Sequence, residues 1–255
     1  MKPAKAGSLR QAGAHRAPAR RKPARADALR AAGEASPISR SPDGCLKYRP
    51  VPAGFFSGGT VAVARTLLGK LLVSDSPEGR TIGRIVETEA YLCDDAACHA
   101  SRGETKRNRA MFGPPGRSYT YLIYGMYRCF NVVTSPAGTG EAVLIRALEP
   151  LEGLELMARR RGLGEPKALC SGPGKLVIAL GIGDLPDGSD LRKGPLLVAE
   201  PVRALGGRRR SGGEGRAEVE DEEGRIKVTT RIGISKDAHL PLRFYLEGNP
   251  WVSRR

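Results

Sequence analysis

The sequence has few of the residues that build metal or redox centres. It contains five cysteines and three histidines among 255 residues, and no two cysteines have the Cys-x-x-Cys spacing that is typical of zinc sites. An odd number of cysteines without paired spacing also argues against a disulfide framework, so we expect reduced thiols inside a cell. These shortages lead us to expect neither a metal nor a cofactor.

Long apolar runs are missing as well. No stretch approaches the roughly 20 apolar residues of a membrane-spanning helix. The first residues also lack the apolar centre of a secretory signal peptide. We therefore expect a protein that works in solution and has no membrane partner.

Acidic residues are outnumbered by basic ones, 27 to 42, which gives a formal net charge of +15. An excess of this size favours a polyanionic partner, because phosphate contacts and counterion release supply most of the affinity for nucleic acids. A ribosomal protein, or a protein that is simply basic, would show the same excess. The charge alone leaves these classes open.

The first 50 residues are rich in Ala, Arg, Lys and Pro and have almost no large apolar side chains. Such a segment cannot bury enough surface to offset its ordering entropy, so we predict that residues 1–50 are a disordered basic tail. The tail could add non-specific affinity for nucleic acid, or it could be a solvated extension, an organelle transit peptide or the product of a misassigned start codon. Residues 51–255 form the predicted domain, in which the charged, glycine-rich residues 206–224 are a flexible insertion.

Apolar periodicity predicts the secondary structure of this domain. Helices are predicted at residues 61–68, 151–161 and 173–180, and strands at residues 71–73, 81–91, 119–123, 127–134, 143–148, 196–202, 225–232 and 242–246. Strands and helices do not alternate regularly. We therefore predict a single α+β domain with a curved, mainly antiparallel β-sheet flanked by helices.

Aromatic residues make up only 5% of the chain, yet four of its seven tyrosines lie between Tyr119 and Tyr127. Tyr119 and Tyr121 share a face of one strand, while Tyr124 and Met126 lie at the turn of a predicted hairpin. Such a tip is poorly buried unless a partner covers it, and a DNA duplex could do so if the tip is wedged between base steps. We therefore predict a protruding, DNA-intercalating β-hairpin. The ordinary β-propensity of tyrosine is the competing explanation.

Two carboxylates form a second cluster. On a strand, alternation places Glu87, Glu89 and Tyr91 on one face, where a routine core would not tolerate them. A carboxylate beside an aromatic ring in a cleft has the partial desolvation that a general base needs, although a solvated sheet face would explain the same pattern. Arg146 interrupts an apolar strand and so requires an acidic partner or a ligand, and Glu89 is a candidate for that partner.

Other polar residues carry weaker signals. His99 is one of three histidines, and a lone histidine is more often structural than catalytic. The basic run 106–109 and the helix start at 171–175, which contains Lys175, could both hold phosphates. Charged loops are more often simply solvated, so neither segment identifies a function by itself.

Several stretches, taken together and in order, resemble the alkyladenine (3-methyladenine) DNA glycosylase family. They are 84–91 (RIVETEAY), 107–111 (RNRAM), 119–131 (YTYLIYGMYRCFN), 143–153 (VLIRALEPLEG), 169–176 (LCSGPGKL) and 242–253 (LRFYLEGNPWVS). The resemblance runs over residues 55–254 and weakens over 162–168 and 204–224. It is much more specific than any single short motif.

The resemblance implies a role for each matching residue. Glu89 would be the general base, and Arg146 with the backbone carbonyl of Ile232 would hold the attacking water. The flipped base would be enclosed by Tyr91, His99 and Tyr121, and Asn131 would disfavour normal guanine through its exocyclic amino group. Tyr124 would intercalate. Further contacts with the DNA are expected from Met126, Tyr127, Arg107 and Lys175.

The resemblance also implies an activity: a monofunctional glycosylase of base excision repair, without a cofactor or lyase step. It would flip 3-methyladenine, 7-methylguanine, hypoxanthine or ethenoadenine out of double-stranded DNA and hydrolyse the N-glycosidic bond with an activated water. We expect a monomer that hands its abasic site to an AP endonuclease. In a bacterium it would be cytoplasmic and nucleoid-associated, while a nuclear or organellar location stays open. A catalytically inactive or differently specific nucleic-acid-binding protein on the same fold is the alternative.

Three residues need separate interpretation. The spacing from Tyr91 to His99 is one residue shorter than in the family, so the position of His99 is a point to test. Cys98 is either an oxidation-sensitive thiol of the pocket or an inert buried one. Lys175 could be a Schiff-base nucleophile, but a lysine at a helix start is better interpreted as a phosphate contact.

Overall fold

The computed structural model describes residues 38–123, 125–202 and 225–254. Within these ranges the strands are β1 (Tyr48–Pro50), β2 (Leu71–Ser76), β3 (Gly79–Tyr91), β4 (Ser118–Ile123), β5 (Tyr127–Val133), β6 (Ala142–Glu152), β7 (Leu196–Pro201), β8 (Ile226–Thr229) and β9 (Arg243–Leu246). The helices are α1 (Thr60–Thr66), α2 (Leu154–Arg161), α3 (Pro166–Leu169) and α4 (Pro173–Leu180). Two 3₁₀ turns span Ala53–Ser57 and Arg109–Phe112.

The strands form one curled sheet in the order β1-β7-β2-β3-β6-β5-β4. β9 pairs with both β3 and β8, which adds a short branch beside the centre of the sheet. Every pairing between these strands is antiparallel. The predicted α+β domain with a curved, mainly antiparallel sheet and flanking helices is therefore confirmed.

β3 is the central strand. Its first half pairs with β2, residues 87–89 pair with β9, and the opposite edge pairs with β6 along most of its length. The register against β6 shifts on both sides of Glu87, which marks a bulge. Bulges re-aim neighbouring side chains, so this irregularity lies where two charged residues must turn into the interior.

α1 packs against the face of β3 opposite to the two glutamates. The hydroxyl of Thr88 donates a hydrogen bond of 2.8 Å to the carbonyl of Ala64. Ala64, Leu67 and Leu68 are buried as their spacing predicts, whereas Val61 is 37% exposed. The buried face of this helix thus fixes one side of β3 and leaves the other side for the polar residues.

The strands predicted around the tyrosine-rich turn are present. β4 and β5 pair in antiparallel register from Ser118↔Val132 to Ile123↔Tyr127. The predicted intercalating tip includes Tyr124, which lies outside the described residues. Its protrusion and intercalation into DNA therefore stay predictions.

The N-terminal boundary was predicted too late in the chain. Residues 38–50 are not a disordered tail, because Tyr48–Pro50 form β1 and pair with β7. Leu46 is buried, and Ile38 and Tyr48 pack against the same cluster on the outer part of the sheet. Three apolar side chains in a polar segment are enough to attach it to an existing sheet edge. The remaining predicted tail, residues 1–37, and the predicted insertion 206–224 lie outside the described residues.

Some element boundaries also differ from the predictions. α2 begins at Leu154, not at residue 151, because β6 continues to Glu152 and Gly153 then adopts a left-handed conformation. β8 ends at Thr229, not at residue 232, since the chain leaves the sheet there. The short helix α3 was not predicted. Among the residues that the structure describes, no helix has the length and apolarity needed to span a bilayer.

Two glycines bracket α2 and allow a matched test of backbone strain. Gly153 and Gly162 both have positive φ, 75° and 67°. A Cβ on Gly153 would lie 2.3 Å from the carbonyl oxygen of Arg80, whereas a Cβ on Gly162 would meet nothing within 4 Å. We expect Gly162→Ala to lower the free energy of unfolding by about 1 kcal/mol. Gly153→Ala should lower it by roughly 3 kcal/mol, because the clash with backbone adds to the strain. Urea denaturation measures both; equal losses would contradict this account.

Candidate active site

Glu89 lies on the central strand and is completely buried. Its Oε1 lies 3.1 Å from Nη1 of Arg146 and accepts a hydrogen bond of 2.8 Å from the backbone amide of Ile232. Its Oε2 accepts a hydrogen bond of 2.9 Å from the hydroxyl of Tyr91. The predicted proximity of Glu89, Arg146 and Tyr91 is therefore present, and Ile232 is adjacent. Ile232 reaches Glu89 through its amide, and the predicted water-holding role of its carbonyl stays a prediction.

Opposing effects act on the ionisation of Glu89. Burial raises the pKa of the Glu89 carboxyl, while the charge of Arg146 and the hydrogen bonds from Ile232 and Tyr91 oppose that rise. The net pKa is above the ordinary value for glutamate. Glu89 is thus a carboxylate withdrawn from water, with a proton affinity higher than that of a surface glutamate.

Glu87 is also completely buried and takes part in the same network. Its Oε1 accepts from Nε of Arg243 at 2.7 Å and from Nε of Arg146 at 3.3 Å. Its Oε2 accepts from the backbone amide of Ser253 at 2.6 Å. Arg146 therefore bridges the two carboxylates of β3.

Arg231 supports the other side of the site. Its guanidinium lies 4.7 Å from the centre of the Tyr91 ring and forms a fully buried ion pair with Asp95. It also donates to the carbonyl of Ala90 at 3.1 Å. Because Ile232 follows Arg231 directly, this one side chain fixes the Tyr91 ring and the amide that binds Glu89. It joins β3, the loop after β3 and the segment after β8.

A cavity of about 350 Å³ opens in front of Tyr91. Its walls combine the rings of Tyr91, His99, Tyr119 and Tyr121 with aliphatic and polar side chains. A volume of this size lies within the usual range for sites that bind small organic groups. Glu89 does not line the cavity; it lies directly behind Tyr91.

His99 is in the cavity wall despite its shorter distance in sequence from Tyr91. A ring nitrogen, Nδ1, lies 2.7 Å from the hydroxyl of Tyr119. The ring packs edge-to-face on Tyr121, with ring centres 4.3 Å apart. Partial removal from water and the charge of Arg107 lower the pKa of His99 below its ordinary value, so the imidazole is neutral at neutral pH.

Asn131 also lines the cavity and is buried. It lies opposite Tyr119 in the pairing of β4 with β5, and its side-chain amide donates a hydrogen bond of 3.1 Å to the Tyr119 carbonyl. The hydrogen bond holds the side chain in one position on the wall. Asn131 can thus act as a fixed polar group beside the aromatic rings of the wall.

Several of the residues predicted to contact DNA are exposed. Met126 is 69% exposed and Tyr127 is 44% exposed. Lys175 is exposed in the first turn of α4, and Gly174 of the same turn lies against Tyr127. Arg107 is exposed at the cavity and donates to the carbonyl of Leu122 at 2.9 Å. The structure thus brings Tyr127 next to the start of α4 and places Arg107 at the cavity, whereas Tyr124 lies outside the described residues.

Cys98 lies near the cavity, and its burial makes the thiol unreactive. Cys98 is buried, and burial raises the pKa of its thiol to about 11. A thiol with that pKa is almost entirely protonated at neutral pH, and the thiolate is the reactive form. The interpretation of Cys98 as an inert buried thiol is therefore favoured.

No group of three or more His, Cys, Asp or Glu residues in the described part of the chain could hold a metal ion.

Comparison with known proteins decides the family. The sequence profile of the methylpurine-DNA glycosylase family matches residues 54–250, which is most of the chain. The chain belongs to this family. It is accordingly a DNA glycosylase, a hydrolase that acts on N-glycosyl bonds, and the resemblance seen in the sequence is confirmed.

Relatives of this glycosylase occur in archaea and bacteria. A protein of Methanoculleus marisnigri is 53% identical over 205 residues, which cover 80% of this chain and 99% of that protein. One of Mesorhizobium japonicum is 45% identical over 87% of this chain and 96% of its own length. One of Carboxydothermus hydrogenoformans is 46% identical over 80% of this chain and 99% of its own length. All three are provisionally named 3-methyladenine DNA glycosylases.

Several residues that build the site were not predicted from the sequence. They are Glu87 in its paired role, Tyr119, Arg231, Asp95, Arg243 and Ser253. Arg243 carries the same signal as Arg146, a basic residue inside an apolar strand, and could have been found by it. Asp95 lies in an ordinary charged loop that carries no local signal of a buried ion pair.

The Arg231–Asp95 pair gives a stability prediction for this glycosylase. Asp95→Asn keeps the shape of the side chain but leaves Arg231 buried without its counter-ion. We expect it to lower the free energy of unfolding by about 3 kcal/mol. The control is Arg49→Met, which removes an ion pair with Glu200 in which Arg49 is 76% exposed. That loss should stay below about 1 kcal/mol. Chemical denaturation gives both values, and a small effect of Asp95→Asn would show that the pair is dispensable.

Proposed function

We propose that this DNA glycosylase removes alkylated and deaminated purines from double-stranded DNA. The class comprises 3-methyladenine, 7-methylguanine, hypoxanthine and ethenoadenine. The observation that carries the proposal is a buried carboxylate, Glu89, held by three donors immediately behind a cavity whose walls include four aromatic rings. The names of the relatives from other organisms support one member of this class, 3-methyladenine.

The aromatic cavity supports binding of a flipped purine. Purines alkylated at N3 or N7 carry a positive charge, which is attracted to the electron-rich faces of tyrosine rings. His99 has a lowered pKa and is neutral, so it does not repel such a base. Asn131, fixed by its hydrogen bond to Tyr119, would meet the exocyclic amino group of normal guanine. Flipping costs a few kcal/mol and costs least for a damaged pair, which adds to the selectivity.

The donors around Glu89 support its role as the general base. A carboxylate has about four acceptor positions, two on each oxygen. Arg146 and Ile232 occupy both positions on Oε1, whereas Tyr91 occupies one on Oε2. Burial, and then the charge of Glu89, raise the pKa of Tyr91, so its hydroxyl stays protonated and keeps donating. One position on Oε2 is left for a water, and that water would attack C1′ as Glu89 takes its proton.

For the alkylated purines, the charge of the leaving group explains why a carboxylate suffices. A methylated purine is cationic and departs as a neutral base, so the bond to the sugar weakens before the water has fully attacked. The chemistry then requires a positioned water and a proton acceptor, and Glu89 with Arg146 supplies both. Hydrolysis in this manner leaves an abasic site and an intact strand. We propose that an AP endonuclease acts on that site next, and that the enzyme works as a monomer.

The exposed residues beside the cavity are proposed to contact the duplex. Met126 and Tyr127 follow the turn between β4 and β5, and their apolar surface would be covered by DNA. Lys175 and Arg107 would contact phosphates. Tyr124 is proposed as the intercalating residue on the sequence resemblance alone. We propose no lyase step for Lys175, because an exposed lysine at a helix start suits a phosphate contact better than a Schiff base.

The first test is base release by Glu89→Gln. Duplexes that carry one 7-methylguanine or one hypoxanthine are incubated with the protein, and abasic sites are cleaved with alkali. We expect the variant to lose at least about 100-fold in rate, since the amide cannot accept the proton of the water. Binding to the lesion duplex should be retained.

The matched control is Glu149→Gln, which changes a carboxylate on β6 that is paired with Arg84. Its rate should stay near that of the wild type. No product from any lesion with the wild-type protein, while DNA binding is intact, would favour an inactive nucleic-acid-binding protein. Strand cleavage without alkali would contradict a monofunctional mechanism.

A second test concerns the DNA-contacting surface. Met126→Ala should weaken binding to a lesion duplex by about 1 kcal/mol, or roughly fivefold in Kd, because the buried apolar area is smaller. Val61→Ala removes a comparable exposed apolar group from α1, on the other face of β3, and should leave Kd unchanged. Fluorescence anisotropy at fixed salt measures both. Equal Kd values for Met126→Ala and the wild type would exclude Met126 from the interface.

A further inference from the structure

Two buried carboxylates of β3 share one arginine. Arg146 lies 3.1 Å from Glu89 through Nη1 and 3.3 Å from Glu87 through Nε. Both glutamates have no exposed surface. Two like charges so close together in the interior would each disfavour ionisation of the other, and one guanidinium cannot neutralise both.

Arg243 supplies the missing positive charge. Its Nε lies 2.7 Å from Oε1 of Glu87, closer than the Nε of Arg146 to the same oxygen. Arg243 lies opposite Glu89 in the pairing of β3 with β9, so the backbone ladder itself delivers it to this place. With Arg243 present, the two carboxylates and two guanidinium groups have no net charge.

The C-terminal segment completes the environment of Glu87. Ser253 donates to Glu87 through its amide at 2.6 Å and through its hydroxyl at 3.0 Å. The guanidinium of Arg243 also donates to the carbonyl of Arg254. Trp251 is buried and anchors this segment. Glu87 therefore has its own donors from β9 and the C-terminal segment. Most of its hydrogen bonds come from these donors and not from Arg146.

We propose that Glu87 and Arg243 are positioning residues for the base. Arg243 neutralises Glu87, and Arg146 is thereby left to hold Glu89 as a carboxylate ready to accept a proton. This inference rests on the proposed function of Glu89. It adds that the ionisation of the base is set by a charged pair whose side chains bond to each other and not to the carboxylate of Glu89.

The pH dependence of base release depends on the charged and titratable groups that face Glu89 from each neighbouring element. They are Arg146 on β6, Tyr91 on β3, Tyr121 on β4, Cys129 on β5 and Arg231 beside Ile232. Tyr91 and Tyr121 have pKa values raised mainly by burial, and burial also raises that of the Cys129 thiol. These three groups are thus neutral throughout the acidic range. Near Glu89, the pH profile therefore follows the carboxylate of Glu89, whose pKa is raised mainly by burial.

The direction of the effect follows from the charges. A base must be deprotonated, so base release is complete above the pKa of Glu89 and is lost as the pH falls through it. Removing the charge of Arg243 leaves two carboxylates with Arg146 and moves this acidic limb to higher pH. Removing the charge of Glu87 leaves one carboxylate with two arginines and moves the limb to lower pH. Removing both charges restores the balance.

The experiment measures single-turnover release of 7-methylguanine from a duplex as a function of pH. This cationic lesion needs no protonation to leave, so no acid on the leaving base contributes to the acidic limb. His99 in the cavity wall gains charge at acidic pH in every variant alike, so the difference between variants reports on Glu89. We expect Arg243→Met to shift the midpoint up by about one pH unit and Glu87→Gln to shift it down by about one pH unit. The double variant should return toward the wild-type midpoint. The control is Arg84→Met, which breaks an ion pair between β3 and β6. It should leave the midpoint unchanged.

The outcomes separate this inference from the proposed function. A wild-type protein that releases no base overturns both. A wild-type protein that releases base, with variants whose midpoints stay fixed or all move in one direction, overturns only the role of Glu87 and Arg243. Thermal unfolding checks that each variant is folded. If Arg243→Met fails to fold, the nearly isosteric Glu87→Gln and the double variant still decide, because a downward shift that the second change reverses is required.

Discussion

A carboxylate withdrawn from water stays ionised only where charges and hydrogen-bond donors replace its lost hydration. Glu89 is in this situation, and the parts of the structure around it each supply one replacement. β6 brings Arg146, the segment after β8 brings the amide of Ile232, and β3 brings the hydroxyl of Tyr91. The loss of any one would leave a buried charge short of a donor, which costs much more than a single hydrogen bond normally contributes.

The long-range strand pairing of β3 meets this requirement. The donors to Glu89 come from residues far away in sequence, and no local element could bring them together. β3 receives β2 and then β9 on one edge and β6 on the other. Each neighbour along the second half of β3 delivers a charged residue, Arg146 from β6 and Arg243 from β9. The architecture is thus a means of assembling opposite charges at one place in the interior.

Local patterns were enough to predict eight of the nine described strands and the face shared by Glu87, Glu89 and Tyr91, because alternation along a strand is a local property. The partnership of Arg146 with Glu89 was also foreseeable, since a charge inside an apolar strand requires a counter-ion. Asp95 could not be identified, because its burial depends on how two loops fold against each other. The amide of Ile232 was equally hidden, since sequence does not reveal which way a peptide group points. Its contact with Glu89 required the three-dimensional structure.

The buried carboxylate and the walls of the cavity lie in parts of the fold that differ in rigidity. Glu89 lies on a strand with hydrogen-bonded neighbours on both edges, so it cannot lose its geometry through fraying of one border. Tyr121 lies on β4 at the end of the strand order, and His99 lies on a loop. Edges and loops tolerate substitution better than central strands do. The walls of the cavity can therefore diverge during evolution while the buried carboxylate behind them stays rigid.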